Sequence, residues 1–214
     1  MLAAEGMNYF KVLVWPGGGM IGGILWALSI LTVAIIVQYF IAIRRENIIP
    51  EVVLKQVRDL FEAREYREVI EVTSTEPSFL SYVVHASLSE AAHGYPAMER
   101  AMEEAADERT TKLLRQTEWL NLIGNISPML GLLGTVWGMI RAFFKIVQAA
   151  GTPKPEDLAG DIGIALVTTL LGLAIAIPSL AVYAVMRNRI DSLSAETLVT
   201  SSELISTFRP TDKG

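Results

Sequence analysis

The chain contains no cysteine. Disulfides, iron–sulfur clusters and thiolate zinc sites are therefore excluded. Histidine is almost as scarce, with His85 and His93 the two present. They stand outside every apolar run and are not at a local ligand-pair spacing, so they read as solvated or packed side chains. Charged residues make up 19% of the chain, against roughly 25% in soluble domains. No basic patch stands out from the net charge of −5, which gives no reason to expect a nucleic-acid partner. No nucleophile–base pair, phosphate-binding loop or metal-ligand cluster is visible, so neither an enzyme nor a cofactor is expected. No repeat at a fixed period and no low-complexity tract appears.

Apolar sequence is abundant instead. Hydrophobic residues are 51% of the chain and the mean hydropathy is +0.39. Three runs, 21–43, 119–140 and 162–186, carry no charge. About 20 helical residues at 1.5 Å each cross a hydrocarbon core of about 30 Å, so each run predicts a membrane span. The first does not read as a secretory signal: it is too long, Lys11 is its one preceding cation, and no A-x-A site follows. The expected fold class is an all-α membrane protein with three transmembrane helices and long helices extending into the cytoplasm.

Flanking cations set the expected orientation. Arg44 and Arg45 close the first run, Lys112 and Arg115 precede the second, and Arg187 and Arg189 follow the third. An outside N-terminus and a cytoplasmic C-terminus put all six on the inner side. Arg141 and Lys145 then lie on a helical extension at the outer interface, where they snorkel. The organisation expected is an external interfacial segment over 1–20 carrying Tyr9, Phe10 and Trp15, a span over 21–43, and a cytoplasmic helical region over 44–118. A second span follows over 119–147, then an external loop over 148–161, a third span over 162–186, and a cytoplasmic helix and tail over 187–214. Within 44–118, Val53, Val57, Leu60 and Phe61 recur at helical spacing. Breaks are expected at 73–78 and 93–96. From Ala97 the pattern runs through MEEAADERTTKLLRQTEWL without a breaker, straight into the second run, which predicts one helix from about Ala97 to about Gln148, running through water and lipid. Pro155, Glu156 and Asp157 read as the next helix start.

The second and third runs are not uniformly greasy. In SPMLGLLGTVWGM, at about 100° per residue, Ser127, Pro128, Gly134, Thr135 and Gly138 all fall within roughly 60° of Gly131. On the third run Asp161, Thr168, Thr169, Gly172, Ala176, Ser179 and Tyr183 gather in the same way around Ala165. Span one has no comparable stripe. Two readings fit. Small residues let helices pack closely in lipid, and threonine hydroxyls bond back to their own helix. Alternatively the stripes face a shared interior lined by Thr135, Thr168 and Thr169. The prolines Pro128 and Pro178, one per stripe-bearing helix, free carbonyls that need partners or a cavity.

No Asp, Glu, Lys, Arg or His lies inside the three runs. Intramembrane ionisable groups mark proton relays, so a proton crossing here would use a group supplied from elsewhere. Asp161, at the outer end of the third run, is the nearest possible external acid. It also suits a helix start, where a carboxylate meets the positive end of the dipole.

SPMLGLLGTVWGMIRAF and IALVTTLLGLAIAIPSLAVYAVMRNRID, in that order and with those flanking cations, resemble the MotA/TolQ/ExbB proton channel family, closest to the three-span ExbB/TolQ branch. The resemblance implies a homopentamer in the bacterial inner membrane with spans two and three around a central pore. It implies two copies of a single-span ExbD/TolR-like partner in that pore, whose membrane aspartate carries the proton. Proton flow then drives motion of the partner, delivered as mechanical work to envelope transport or maintenance. Protons are the coupling ion by resemblance, with sodium left open. Thr135 and Thr169 match the family's pore threonines, and Pro128 and Pro178 its prolines. Many relatives carry a glutamate where this chain has Ile164, so no proton step can be assigned to that side chain. The alternative is a non-conducting scaffold whose stripes pack a partner helix.

Overall fold

The computed structural model describes residues 19–148 and 155–209. Among these no strand occurs, and the chain is a succession of helices. Helix α1 is Gly19–Ala42, α2 Arg45–Ile48, α3 Glu51–Ala63, α4 Tyr66–Thr75 and α5 Phe79–Ser89. A short 3-10 turn, Ala91–His93, leads into α6, Tyr95–Gln148. Helix α7 is Pro155–Ile205, followed by a 3-10 turn at Ser206–Phe208. The expected interfacial segment around Tyr9, Phe10 and Trp15 and the end of the tail lie outside the described residues.

Helices α1, α6 and α7 are each long and apolar enough to cross a membrane. The 54 residues of α6 extend about 80 Å at 1.5 Å per residue, far more than a bilayer core. The helix begins where Gly94, at φ +89°, reverses the chain, and Pro96 enters in its first turn, where no intrahelical N–H bond is lost. It ends at Gln148 within the described residues, close to where the pattern predicts.

Helix α7 begins at Pro155, the helix start read from the sequence, inside the stretch read as external loop over 148–161. A proline at the first helical position forfeits no hydrogen bond. The third apolar run and the polar segment after it are one unbroken helix. Arg187, Asn188 and Arg189 change the polarity of the surface without breaking the backbone pattern. Pro128 and Pro178 also lie inside continuous helices.

The contacts divide the chain into two units. The first takes the chain up to Val37 together with Glu118–Ala184. Its core joins Leu25 of α1 to Ile123 of α6 and Ile175 of α7, with Ile21, Leu28, Ile35, Leu130 and Leu171 packed around them. Most other large apolar side chains in this unit stay exposed, among them Ile30, Val33, Leu132, Phe143, Leu166 and Ile177. That is the surface expected of helices solvated by lipid or by neighbouring subunits.

The second unit takes Gln38–Thr117 and Val185–Gly214. It has an inside-out polarity opposite to the first. Helix α5 buries Phe79, Leu80, Val83, Val84 and Leu88 and is capped by Ser78, whose Oγ accepts the Ser81 N–H at 3.1 Å. Val53, Val57 and Phe61 of α3, on the apolar face read from the sequence, are buried too. Leu60 of the same face is half-buried. Each fully buried aliphatic side chain contributes about 1.5–3 kcal/mol. Polar ties fasten the rim: Thr110 Oγ1 meets Ser194 Oγ at 2.5 Å, and Arg45 bridges Glu196 at 2.7 Å and Glu51 at 3.1 Å.

Candidate functional site

The two small-residue stripes meet each other. Gly131 and Gly172 face across the α6–α7 contact with no room for a side chain. A methyl group on Gly172 would stand 2.6 Å from the Ser127 carbonyl oxygen and 3.1 Å from Gly131 Cα. One on Gly131 would stand 2.9 Å from the Thr168 carbonyl oxygen and 3.0 Å from Thr169 Cα. Gly134 abuts the Thr168 side chain and Gly138 abuts Ala165. Ser127, Gly131, Gly134, Gly138, Ala165, Thr168, Gly172 and Ala176 are all buried within this one chain. Their smallness is spent on bringing two backbones together. Pro128 is half-buried and Pro178 exposed, so the prolines lie at the edge of this contact and beyond it.

Hydroxyls collect on the Gly131 carbonyl. Thr169 Oγ1 donates to it at 3.0 Å, and Thr168 Oγ1 and Thr135 Oγ1 approach at 3.4 and 3.3 Å. Thr168 is buried and bonds more closely to its own helix, at the Ala165 carbonyl, 2.7 Å away. Thr135 and Thr169 are half-buried, with Oγ1 atoms 3.1 Å apart. Thr135 Oγ1 also reaches the Leu132 carbonyl at 2.8 Å. Of the three threonines, then, one closes the packed seam and two sit at its rim, paired across helices and partly open. A hydroxyl both donates and accepts, so this rim can bond a protonated acid, a carboxylate through its donor, or a water. Ser127 and Ser179 are spent locally, each bonding at 2.7 Å to the carbonyl four residues earlier, on Ile123 and Ile175. Thr32 of α1 is also buried, and its hydroxyl has no hydrogen-bond partner among the described residues.

Asp161 occupies a different place. It is 5% exposed and faces two cations of α6, with Arg141 Nη2 3.4 Å and Lys145 Nζ 2.6 Å from its carboxylate oxygens. The lysine contact is close but off the hydrogen-bond direction, so it is ionic rather than a directed bond. Arg141 and Lys145, read from the sequence as snorkelling cations, are nearly half exposed and hold this carboxylate. Ile164 is half-buried and offers no titrating group at its own position.

Sequence reasoning missed a polar cluster at the start of span two. Asn125 Nδ2 donates to the carbonyl and to Oδ1 of Asn121 at 2.7 and 2.8 Å, and Asn121 Nδ2 donates to Glu118 at 3.0 Å. Tyr183 of α7 donates its hydroxyl to the other Glu118 oxygen at 2.9 Å. The asparagines carry no charge, so a search for charges in the span passes over them. Their i, i+4 spacing from one another, and i+3 from Glu118, was the available signal.

The fold and site define a helical membrane protein with three spanning helices, in which two long helices are locked by a glycine seam edged with paired threonines. Residues 72–197 match the MotA/TolQ/ExbB proton channel family, and the chain belongs to that family. It is 38% identical over 86 residues to the biopolymer transport protein ExbB of Xanthomonas campestris pv. campestris, covering 40% of this chain and 34% of that relative. It is 33% identical over 147 residues to a putative biopolymer transport protein, ExbB-like, of Synechocystis, covering 67% and 56%. The Tol-Pal system protein TolQ of Haemophilus influenzae is 31% identical over 97 residues, covering 45% and 42%. The matches thus span between a third and just over half of these relatives' lengths, and they place the chain in the ExbB/TolQ branch.

Proposed function

We propose that the chain is the channel subunit of an inner-membrane motor. In this reading five copies surround two copies of a single-span partner whose membrane aspartate carries the coupling proton. The N-terminus faces outward, and the second unit works in the cytoplasm. Observation carries this at one point above all: the Thr135–Thr169 hydroxyl pair, 3.1 Å across two helices, sits in spans that hold no acid of their own. Such a pair suits a titrating group delivered by another chain, because it bonds either protonation state without trapping a charge. One charge falling through 100 mV releases about 2.3 kcal/mol, several times thermal energy and enough to bias a step of the partner between adjacent subunits. The work is delivered to envelope transport or maintenance.

The glycine seam supports a second reading. It accounts for most of the small residues by packing within one chain, as a non-conducting scaffold would require. One experiment separates the two. The chain is co-expressed with a single-span ExbD/TolR-like protein, and proton flux and gradient-driven function are measured for the Thr135→Val/Thr169→Val and Thr135→Ala/Thr169→Ala pairs at wild-type protein level. A motor loses both activities in both variants. Full activity in both double variants sinks the proposal.

A further inference from the structure

We infer that Glu118, Asn121 and Asn125 of α6, with Tyr183 of α7, form a hydrated vestibule running from the Glu118 end of the two spans toward the Thr135–Thr169 pair. The inference rests on the proposed function only for what passes along the vestibule, not for its being wet.

Three observations carry it. The first is depth. Trp119 is exposed at the start of the apolar run, the position where indole rings mark the membrane interface. Asn125 lies six residues further on, about 9 Å along the axis at 1.5 Å per residue, inside the hydrocarbon region. The second is exposure. Asn125 is exposed, and no donor among the described residues reaches its Oδ1, whose amide nitrogen is committed to Asn121. An open amide carbonyl at that depth is not stable against lipid tails, which offer no hydrogen bond. Water satisfies it.

The third is continuity. Glu118, Asn121, Asn125 and Pro128 follow one another at i+3 or i+4, so they share a stripe of α6. Pro128 has no N–H, which leaves the Gly124 carbonyl, one turn earlier, without its helical partner. The next polar groups along the helix are the Leu132 carbonyl and Thr135 hydroxyl, already bonded to each other at 2.8 Å. Polar groups therefore recur along α6 from Glu118 through Asn121 and Asn125, past the Pro128 turn, to the threonine pair. Glu118, held by Asn121 and Tyr183, stands at the mouth of this path.

The cysteine-free sequence supplies the test. Single cysteines are placed at Asn121, Asn125 and Leu132 on the stripe, and at Ile126 and Leu133, which lie about 80–100° around the helix from Asn125. The full chain, co-expressed with a single-span ExbD/TolR-like protein, is held in native membrane vesicles of both orientations. A charged, membrane-impermeant methanethiosulfonate reports water, because only a hydrated thiol forms the reactive thiolate. The expected result is modification of N125C from the Glu118 end alone, at least about tenfold faster than I126C and L133C. Modification of N125C no faster than these controls overturns the inference, even if N121C reacts. Leu132 is 62% exposed, so L132C gives a second reading should N125C fail to insert: it must react faster than L133C, and equality overturns the inference. Reactive N125C in a chain that moves no protons would defeat the motor reading and leave the vestibule. Proton flux with silent stripe cysteines would do the reverse.

Discussion

Thr135 Oγ1 and Thr169 Oγ1 stand 3.1 Å apart on two different helices, and Thr169 is anchored at 3.0 Å to the Gly131 carbonyl. The pair is held by the same close approach that the glycines create. Replacing either threonine with valine keeps shape and removes the hydroxyl. Interhelical hydrogen bonds in membranes contribute about 0.6 kcal/mol, so Thr169→Val is expected to change thermal stability by less than about 1 kcal/mol. Proton flux, by contrast, is expected to fall at least about tenfold, the equivalent of about 1.4 kcal/mol on the barrier. Thr169→Ser should retain most of the flux. Paired thermal-shift and flux measurements on the purified complex separate these effects, and equal flux in the valine and serine variants would remove the hydroxyl from the mechanism.

The seam itself predicts a sharp contrast among glycines. Gly172→Ala drives a methyl into the Ser127 carbonyl and Gly131 Cα, neither of which can swing aside. Overpacking of this kind costs about 1–3 kcal/mol, and it should also spread the threonine pair. At Gly163 an added methyl meets nothing within 4 Å, so Gly163→Ala should be neutral, or stabilising by up to about 1 kcal/mol through helix propensity. Unfolding in detergent micelles compares the two directly. A Gly172→Ala variant as stable as Gly163→Ala would mean that the helices part easily.

Much of this architecture was legible beforehand. The long α6 follows from the lack of any breaker between Ala97 and the second apolar run, and the stripes follow from residue size and helical period. Periodicity gives a face but not what covers it. That the stripes of α6 and α7 close on each other depends on the relative register of two helices, which no local pattern encodes. The same holds for Asp161, whose cations Arg141 and Lys145 lie on a different helix. The continuity of α7 past Arg187 was missed because a change of polarity resembles a boundary without being one. Asn121 and Asn125 were hidden by the absence of charge.

Tyr82 gives the second unit a dependence on pH. Its hydroxyl donates to Glu108 at 2.8 Å, and Arg109 lies 3.9 Å over the ring. The bond to Glu108, then burial and the Glu108 charge, raise the phenol above its usual value, against a smaller lowering by Arg109. A raised folded value means the folded state holds this proton more tightly. The contribution is complete below the unfolded value of about 10 and is lost as pH climbs through the higher folded value. The stability gap between the wild-type chain and Tyr82→Phe should therefore be positive at pH near 8 and shrink above about 10. Melting the two proteins across that range checks it, since other tyrosines cancel in the difference. A gap that stays constant would show that the hydroxyl bond does not survive in solution.

Asp161 separates charge pairing from proton transfer. Its carboxylate is buried, while Arg141 and Lys145 remain nearly half exposed. Removing the charge with Asp161→Asn leaves the two cations facing an amide and each other. Breaking a fully buried pair costs about 3–5 kcal/mol. The solvent around the cations screens this one, and a loss of about 1–2 kcal/mol is expected instead. The double variant Asp161→Asn/Lys145→Met should lose less than the sum of the single changes, because the pair it breaks is already broken. Proton flux at matched protein level should persist in Asp161→Asn if the carboxylate serves only to hold Arg141 and Lys145, 3.4 and 2.6 Å away. Flux lost from a correctly folded Asp161→Asn chain, with additive stability changes in the double variant, would reassign the residue from clamp to proton carrier. It would then occupy the role that Ile164 cannot fill.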